Sequence, residues 1–575
     1  MTTSLSAGAP ARTGQPARRA DRIGRGLDGL AASHARAAAA LLALCLLLFL
    51  PGQISLQPMD RDEPRFAQAS KQMLESGDLV DIRFQGEARH KKPVGIYWAQ
   101  AAAVAAGEAL GVPEARTQIA LYRLPSLIGA AASVLLAYWA GLAFLPRRGA
   151  LLAAALYGAC LMLSAEAHLA KTDALLAACA TASLGALARA WLGRGQRLGL
   201  PVLAAFWLGL ALGILVKGPM VPLFVALPAA FLSWKAGSAR WLGALRPLPG
   251  LALVLLIVAP WFAAIAWKSG GAFYAEAVGH DMLGKIGGAA ERHGAPPGAY
   301  ALAVFATFWP GAVFAAMSLP FAWRERRGDA VAFVIAAVLP AWLIFEAVPT
   351  KLPHYVLPLL PWLAVLTVLA LNAGALDPRR RGARAAALLL PAIPLALTLG
   401  LCAFGWRIDG HRIPFAALPL LGGACILAAL GWRAFARGMP ERALVLGILA
   451  SCLLGPGVLG VAQRQLPGLK VSPRLAALRD RLPCPNPQVA SLGYREPSLV
   501  FLIGTDLALL PDGAAAKAFL DAGGCRLLFI EARQREDFNA AWPVSRAAPA
   551  PLADIEGFNL NTGRRVFVTA YAVAP

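Results

Sequence analysis

Charged residues are scarce in this sequence, and their scarcity excludes a soluble globular protein. Only 15% of the 575 residues are Asp, Glu, Lys or Arg, whereas 58% are hydrophobic. An ordinary soluble domain has about 25% charged residues. The hydrophobic residues fall in blocks of about twenty, the length that an α-helix needs to cross a bilayer. The composition therefore predicts an α-helical polytopic membrane protein.

The motifs of several soluble enzyme classes are also missing. The sequence has no Gly-rich phosphate loop ending in Lys-Ser or Lys-Thr, no HExxH, and no GxSxG at a strand-to-helix turn. A nucleotide-fuelled transporter is therefore disfavoured. No soluble basic domain with interleaved aromatics is present either, which excludes nucleic acid as a partner despite the net charge of +22.

Cysteines are few, and most of them lie in apolar blocks without metal-ligand spacing, where a thiol acts as a small hydrophobic group. These are Cys45, Cys160, Cys179, Cys402, Cys425 and Cys452. Cys484 and Cys525 instead lie in a polar region. The spacing leaves a disulfide between them and two unpaired buried thiols equally open.

Basic residues are abundant and cluster between the apolar blocks, so they act as orientation signals under the positive-inside rule. About thirteen spans fit the apolar blocks, each of roughly twenty residues. They are expected at residues 37–50, 121–145, 149–168, 174–192, 200–216, 219–234, 248–268, 299–322, 329–348, 354–373, 384–405, 413–433 and 442–462. No small-residue cleavage site follows the first block, which predicts a retained anchor.

The Arg clusters then fall on one side only if the apolar stretch 93–111 does not cross the membrane. We expect it to lie at the outer interface as a juxtamembrane helix. The predicted organisation is a cytoplasmic basic arm (1–35), a transmembrane domain (36–462) with juxtamembrane helices in its first outer loop (57–120), and a periplasmic α/β domain (463–575). Its α/β character is indicated by β-type runs at 488–492, 526–530 and 565–571, which alternate with helical runs at 513–522 and 535–541.

Polar residues beside membrane spans are functional candidates by default. The first outer loop holds Asp60, Arg61, Asp62, Glu63, Arg65, His90, Lys91 and Lys92. Three further outer turns contribute His168, Lys171 and Asp173, then Lys217, then Lys351, His354 and Tyr355. For single residues, an amphipathic helix with solvated charges or a lysine that reaches the headgroups remains the alternative.

Carboxylates beside Lys and Arg, at the outer edge of an apolar cavity, suit chemistry on a lipid phosphate. The cations would hold the phosphate and stabilise it as a leaving group. A carboxylate would take the proton of an incoming hydroxyl. Two cations near Asp62 would keep it ionised for that task.

Several motifs resemble a known family in the order in which they occur. They are DRDEPRF, KKPVGIYW, KTD, VKGP, KLPHYVLP and GYREPSLVFLIGT. The sequence resembles the GT-C membrane glycosyltransferases, in the branch of the protein O-mannosyltransferases and the ArnT-like lipid A aminoarabinose transferases. Members transfer a sugar from a polyprenyl-phosphate donor to an acceptor on the outer face of the membrane, usually with inversion.

The resemblance implies a role for each matching residue. Asp62 and Asp173 would be the catalytic and second cavity carboxylates, while the donor phosphate site would contain Arg65, Lys92, Lys351 and Tyr355. Glu63, His168 and Lys217 are further cavity candidates. Aminoarabinose transferases have a metal-associated acidic residue where this chain has Lys91, so neither a divalent metal nor an aminoarabinose donor is implied.

The sequence thus predicts a bacterial inner-membrane glycosyltransferase that uses undecaprenyl phosphate as its sugar carrier. Lipid A, another envelope glycan or a protein is the expected acceptor, and the sugar is left open. Two alternatives remain. One is a lipid-linked sugar flippase, although the paired broken helices and internal repeat typical of transporters are not evident. The other is an inactive scaffold whose periplasmic domain binds a partner enzyme.

Overall fold

A computed structural model describes residues 22–59, 62–284, 294–484, 486–542, 550–559 and 561–573. The chain forms a large helical body followed by a small α/β domain. Most of the predicted basic arm, Asp60, Arg61 and residues 285–293 of the loop 269–298 lie outside the described residues.

The helical body begins at Arg22 and ends near residue 465. Its principal helices are Arg22–Leu30, His34–Phe49, Asp62–Ser76, Gly95–Ala109, Ile119–Gly141, Arg147–Gly158, Leu161–Ala167, Asp173–Leu192, Leu200–Lys217, Met220–Ala236, Pro247–Ser269, Ala299–Thr307, Ala312–Arg324, Asp329–Ala347, Leu360–Asn372, Leu389–Ile408, Leu418–Ala436 and Pro440–Gly455. A π-helical segment, Ala275–Leu283, and a 3₁₀ turn, Pro353–Leu359, interrupt this series.

In the described ranges, nine helices are long and apolar enough to cross a membrane, and two bent helix pairs raise the number to eleven. The predicted polytopic membrane class is therefore confirmed. Two other predicted spans fall short of this length: Met220–Ala236 has 17 residues, and the stretch 299–322 is divided between two helices. The juxtamembrane stretch forms the 15-residue helix Gly95–Ala109.

Small residues let the central helices approach closely. The helix Asp173–Leu192 is rich in Ala, and its most apolar stretch is 83% buried. A Cβ added to Gly129 would lie 2.8 Å from the backbone nitrogen of Leu175, and one added to Gly209 would lie 2.9 Å from the carbonyl oxygen of Cys179. Close backbone contact of this kind is the usual basis of helix association in membranes.

The tail domain is built on a five-stranded mixed sheet. Two short strands in the first loop, β1 (Arg83–Phe84) and β2 (Glu87–Ala88), form a separate two-stranded sheet. The five strands of the tail sheet are β3 (Gln488–Leu492), β4 (Ala508–Leu510), β5 (Arg526–Glu531), β6 (Pro551–Asn559) and β7 (Arg564–Val573). The sheet order is β4-β3-β5-β7-β6, in which β3 pairs in parallel with β4 and β5, and β7 pairs antiparallel with β5 and β6. The predicted α/β domain is confirmed.

Helices cover both faces of this sheet, because successive strand residues point to opposite sides. Leu527 and Phe529 face a core shared with the helices Val471–Arg479 and Pro497–Ile503. Leu528 and Ile530 face the helices Gly513–Asp521 and Arg535–Ala540. Cys484 and Cys525 form a disulfide beside β3 and β5, which resolves the alternative that their spacing left open.

The tail domain is docked on the first large loop. Phe501, in the tail helix Pro497–Ile503, packs edge-on against Tyr122 at 5.2 Å and shares an apolar cluster with Ala67 and Ala170. Hydrogen bonds reinforce this contact. Gln68 donates to the Thr505 hydroxyl at 2.7 Å, and that hydroxyl donates to Glu75 at 2.7 Å. The α/β domain therefore buttresses the helix Asp62–Ser76.

A fully buried ion pair fixes the start of that helix. Arg123, in the helix Ile119–Gly141, donates to the two carboxylate oxygens of Glu63 at 2.7 and 3.0 Å, and both side chains are 0% exposed. The same guanidinium donates to the carbonyl oxygens of Gln53, Leu56 and Gln57 at 2.8 to 2.9 Å. The Arg123 side chain thus positions both this loop and the start of the helix, where Asp62 precedes Glu63.

We expect Arg123→Met to lower the free energy of unfolding by about 3 to 5 kcal/mol, because it leaves the Glu63 carboxylate buried without its cation. Thermal unfolding of the detergent-solubilised protein measures the loss. The control is Arg194→Met, since Arg194 forms a solvent-exposed pair with Asp329 at 3.5 Å, and exposed pairs contribute little. Equal melting temperatures for the two variants would contradict this role of Arg123.

Candidate active site

Ionisable side chains converge where several helices end. Asp173 is the first residue of the helix Asp173–Leu192, and Lys217 is the last residue of Leu200–Lys217. A carboxylate at a helix N-terminus and an ammonium at a C-terminus are both favoured by the helix dipole. Glu166 comes from the end of Leu161–Ala167.

Two carboxylates, two ammonium groups and one imidazole ring form a buried ionic cluster. The Lys217 Nζ lies 2.5 Å from Asp173 Oδ1, and the Lys171 Nζ lies 3.4 Å from Glu166 Oε1. The His354 ring lies between the two carboxylates, with Nδ1 3.6 Å from Glu166 Oε1 and Nε2 3.8 Å from Asp173 Oδ2. The negative charges of the two carboxylates are neutralised by the two ammonium groups, which lowers the free-energy cost of burying this cluster in an apolar body.

Tyr355 closes one side of this cluster. Its ring centroid lies 5.4 Å from the Lys217 Nζ and 5.1 Å from the centroid of the His354 ring. The contact with Lys217 is a cation–π interaction, which gains strength away from water. Lys351 is also buried, and it donates a 2.7 Å hydrogen bond to the carbonyl oxygen of Val348 in its own turn.

Asp62 lies at the open edge of the site. It is the first residue of its helix, and its side chain is 50% exposed. The Arg89 Nη2 lies 3.8 Å from Asp62 Oδ1, and the Arg89 guanidinium lies 5.1 Å from the centroid of the Phe66 ring. The buried Nε of Arg89 has no hydrogen-bond partner within the described part of the chain.

Positive charge surrounds Asp62 on several sides. Partial burial opposes its ionisation, but Arg89, Lys171, Arg65 and Lys92 outweigh that effect and hold the pKa of the Asp62 carboxyl below its usual range. Lys171 is also the cation that contacts Glu166. The exposed carboxylate and the buried cluster consequently share one electrostatic environment.

The structure brings most of the predicted residues together. Asp62, Arg65 and Lys92 lie in one neighbourhood, and Asp173, Lys217 and Tyr355 lie in the adjoining buried cluster. Their individual roles stay predictions.

Glu63 and His168 form hydrogen bonds to other residues near the site. Glu63 accepts hydrogen bonds from Arg123 and from the backbone of Ala170. The ring nitrogens of His168 lie 2.7 Å from the carbonyl oxygen of Ser164 and 3.0 Å from that of Pro51. Both side chains are buried, and their role as cavity residues stays a prediction.

Four site residues received no role in the sequence analysis, among them Lys171, which was named only as a candidate. Arg89 lies just before the motif KKPVGIYW, which includes Lys92 but not Arg89. His354 appeared only as a neighbour of Tyr355. Glu166 had a usable signal, because a carboxylate inside an apolar block is costly unless it is paired.

The buried cluster also bears on metal binding. Ligand atoms of Glu166, Asp173 and His354 lie within 4.8 Å of one another, and Glu166 Oε2 has no hydrogen-bond partner among the described residues. However, the ammonium groups of Lys171 and Lys217 already contact the same two carboxylates. The positive charge of both lysines opposes the binding of a divalent cation beside these carboxylates.

Several known proteins are similar to this chain. A family model described as dolichyl-phosphate-mannose-protein mannosyltransferase matches residues 92–264. An undecaprenyl phosphate-α-4-amino-4-deoxy-L-arabinose arabinosyl transferase of Pseudomonas aeruginosa is 31% identical over 340 residues, which cover 56% of this chain and 58% of that protein. The protein of the same name from Pseudomonas paraeruginosa is 29% identical over 433 residues, which cover 71% and 74%.

A solved structure extends the likeness to nearly the whole chain. The crystal structure of ArnT from Cupriavidus metallidurans bound to undecaprenyl phosphate matches with a TM-score of 0.68 and 18% sequence identity, covering 93% of this chain and 97% of that one. At this identity the match shows the fold. Together with the sequence matches it confirms the predicted resemblance: the chain has the GT-C fold and is similar to the ArnT-like transferases.

Proposed function

We propose that this protein transfers a sugar from a polyprenyl-phosphate donor to an acceptor in the cell envelope, with lipid A as the first candidate. The observation that carries the proposal is the surrounding of Asp62 by cations at the open edge of a largely apolar helical body. An anionic headgroup attached to a long apolar chain is complementary to such a site.

In the proposed reaction, Arg65 and Lys92 hold the donor phosphate, and Arg89 adds a third cation beside Asp62. The acceptor oxygen forms a bond to the anomeric carbon of the sugar while the bond from that carbon to the phosphate oxygen breaks. The proton of the acceptor hydroxyl passes to Asp62 late in this step, because a carboxylate is a weak base for an alcohol. Polyprenyl phosphate leaves with its added negative charge balanced by the cations.

The buried cluster has a positioning role in this scheme. Asp173 fixes Lys217, and Lys217 in turn holds the ring of Tyr355. We assign Tyr355 and the neighbouring Lys351 to the wall of the donor site. Because these contacts are buried, they keep the wall in place when the mobile lipid enters.

The related proteins support the donor class. Two relatives are named for a transferase that uses an undecaprenyl phosphate sugar, and the ArnT structure contains undecaprenyl phosphate. The aminoarabinose of those names is not transferred to this chain, because Lys91 replaces the acidic residue that is expected in aminoarabinose transferases. Another glycan or a protein remains an alternative acceptor.

The tail supports an extracytoplasmic site. Disulfides such as Cys484–Cys525 form and persist in oxidising compartments. The domain that carries this disulfide packs on the helix of Asp62, so both lie on the same face of the membrane. We therefore propose a bacterial inner-membrane protein with a cytoplasmic N-terminus and a periplasmic tail domain.

We expect Asp62→Asn to reduce sugar transfer by about 10²- to 10⁴-fold, because the amide cannot accept the proton. Donor binding should persist, since the phosphate cations remain. The measurement uses purified protein, a radiolabelled polyprenyl-phosphate sugar and acceptor, and follows acceptor-dependent release of polyprenyl phosphate.

The control for this variant is Glu87→Gln, which neutralises an exposed carboxylate on β2 of the same loop. It should transfer sugar at the wild-type rate. Full activity in Asp62→Asn would contradict the proposed base. Movement of labelled lipid across liposomes without any turnover would instead support the flippase alternative.

The charge around Asp62 also predicts a pH effect. The carboxylate is ionised above its lowered pKa, so activity should persist to unusually low pH and fall only as the pH drops through that pKa. Arg89→Leu removes a cation, which raises the pKa of Asp62 and moves the acid limb of the pH–rate profile to higher pH. Arg83→Leu, which alters a neighbouring surface pair with Asp81, should leave the limb unchanged. If the acid limb of the pH–rate profile did not move in Arg89→Leu, the proposed effect of Arg89 on the pKa of Asp62 would be contradicted.

We further propose that transfer does not require a divalent metal, since the lysines of the buried cluster occupy the place of a cation. Transfer should therefore survive dialysis against a chelator, measured with the radiolabelled donor. Lys217→Met is the informative comparison, because it leaves Asp173 without its cation and should lower activity with or without chelator. Loss of wild-type activity on chelation, restored by one added metal, would overturn this proposal.

A further inference from the structure

A second concave site lies between the tail domain and the loop that leads to Asp62. It is a small, half-open pocket whose walls include Gln57 and Met59 from the loop and Tyr494, Glu496 and Asn561 from the tail. Tyr494, Glu496 and Ser498 belong to the motif GYREPS, for which the proposed transfer chemistry has no use. Neither the donor site nor the buried ionic cluster includes any of these residues.

The walls of the pocket are polar and preorganised. Glu496 accepts hydrogen bonds from the side-chain amides of Asn559 at 2.6 Å and Asn561 at 2.7 Å. The Ser472 hydroxyl is hydrogen-bonded to the hydroxyl groups of Tyr494 at 2.9 Å and Ser498 at 2.8 Å. Fixed amides, hydroxyls and one carboxylate can therefore meet a ligand rich in hydroxyl groups with little rearrangement.

One wall atom lacks a partner. The side-chain oxygen of Gln57 is buried and accepts no hydrogen bond from any residue that the structure describes, while its amide nitrogen donates to the carbonyl oxygen of Leu469. A buried acceptor of this kind is costly unless a bound group donates to it. A ligand hydroxyl or amine in the pocket would supply that donor.

The charged and apolar groups in the pocket wall indicate which class of ligand it can bind. Glu496 is its ionisable carboxylate, and no Lys, Arg or His belongs to the wall residues that the structure describes. An isolated phosphate is therefore disfavoured. The ring of Phe558 offers an apolar face beside the polar groups. Hydroxyl groups, an amine and a flat apolar ring face are together the features of a sugar.

The pocket is close to Asp62 along the chain. Met59 precedes Asp62 by three residues, and three trans peptide units span at most about 11 Å between Cα atoms. The backbone nitrogen of Met59 donates to Glu63, the same carboxylate that pairs with Arg123. A sugar in the pocket therefore lies beside the proposed transfer site, on the side of the tail domain.

We propose that this pocket is the acceptor subsite, which binds a sugar ring of a glycolipid headgroup and directs its reacting oxygen towards Asp62. Hydroxyl or amine groups of the ring donate to Gln57 and Glu496, and the tail domain thereby takes part in acceptor choice. This inference rests on the proposed glycosyl transfer, because only transfer makes the bound sugar an acceptor. Binding of the sugar to the pocket can be measured even if no transfer occurs.

The test combines binding with kinetics on the full-length protein in detergent. Binding of a glucosamine disaccharide is followed by saturation-transfer NMR, and the KM for a glycolipid acceptor is measured at saturating donor. Gln57→Met and Glu496→Gln should each weaken disaccharide binding and raise the acceptor KM about tenfold or more, because each removes a hydrogen-bond acceptor. The KM for the donor should not change.

The motif itself provides a matched control. Arg495 lies between Tyr494 and Glu496, but it is exposed and donates to the carbonyl oxygen of Leu510 at the sheet edge. Arg495→Gln should leave both measurements at wild-type values. Tyr494→Phe keeps the ring and removes only the hydroxyl, so it should show a smaller effect than Glu496→Gln while the melting temperature stays unchanged.

The outcomes separate the two proposals. Disaccharide binding that depends on Gln57 and Glu496 supports the subsite even if no transfer is detected, in which case the proposed function alone fails. Transfer with unchanged acceptor KM in both variants overturns the subsite and leaves the transferase. Absence of disaccharide binding to the wild type, or transfer to a protein acceptor only, also overturns it.

Discussion

The fully buried pair of Arg123 and Glu63 is the interaction on which the site depends. Burying two charges is expensive and is tolerated only when both partners are satisfied. Here the guanidinium also holds three backbone carbonyl groups of the loop, and Glu63 accepts from the backbone of Ala170 in the turn before Asp173. The same pair therefore fixes the position of Asp62 and of the turn that carries Lys171.

A second constraint is charge balance inside an apolar body. Asp173 and Glu166 are tolerable there because Lys217 and Lys171 neutralise them at short distance. The balance is local, whereas the cations around Asp62 exceed the negative charge of its single carboxylate. The buried part of the site is thus close to neutral, and its open edge is positive. An anion is attracted to the edge without entering the cluster.

Much of the fold could be predicted from the sequence, and the failures have identifiable causes. The apolar blocks gave the helices, and the tail runs at 488–492 and 526–530 coincide with β3 and β5 almost residue for residue. The strand β4 is only three residues long and β6 begins at a proline, so neither has a clear alternating pattern. The Glu63–Arg123 pair joins residues 60 positions apart, and short-range periodicity carries no information about such a contact.

The tail domain explains why distant motifs of the chain occur together. Phe501 and Thr505 contact the helix of Asp62 from one side, while Tyr494 and Glu496, a few residues earlier, face the loop that enters the same helix. A single stretch of the tail therefore both supports the proposed base and borders the space next to it. Because the helix is held at its start by Arg123 and along its length by the tail, a shift of the tail domain would move Asp62 relative to the cations. The geometry of the proposed reaction is consequently set by contacts between the two domains as much as by the residues of the site.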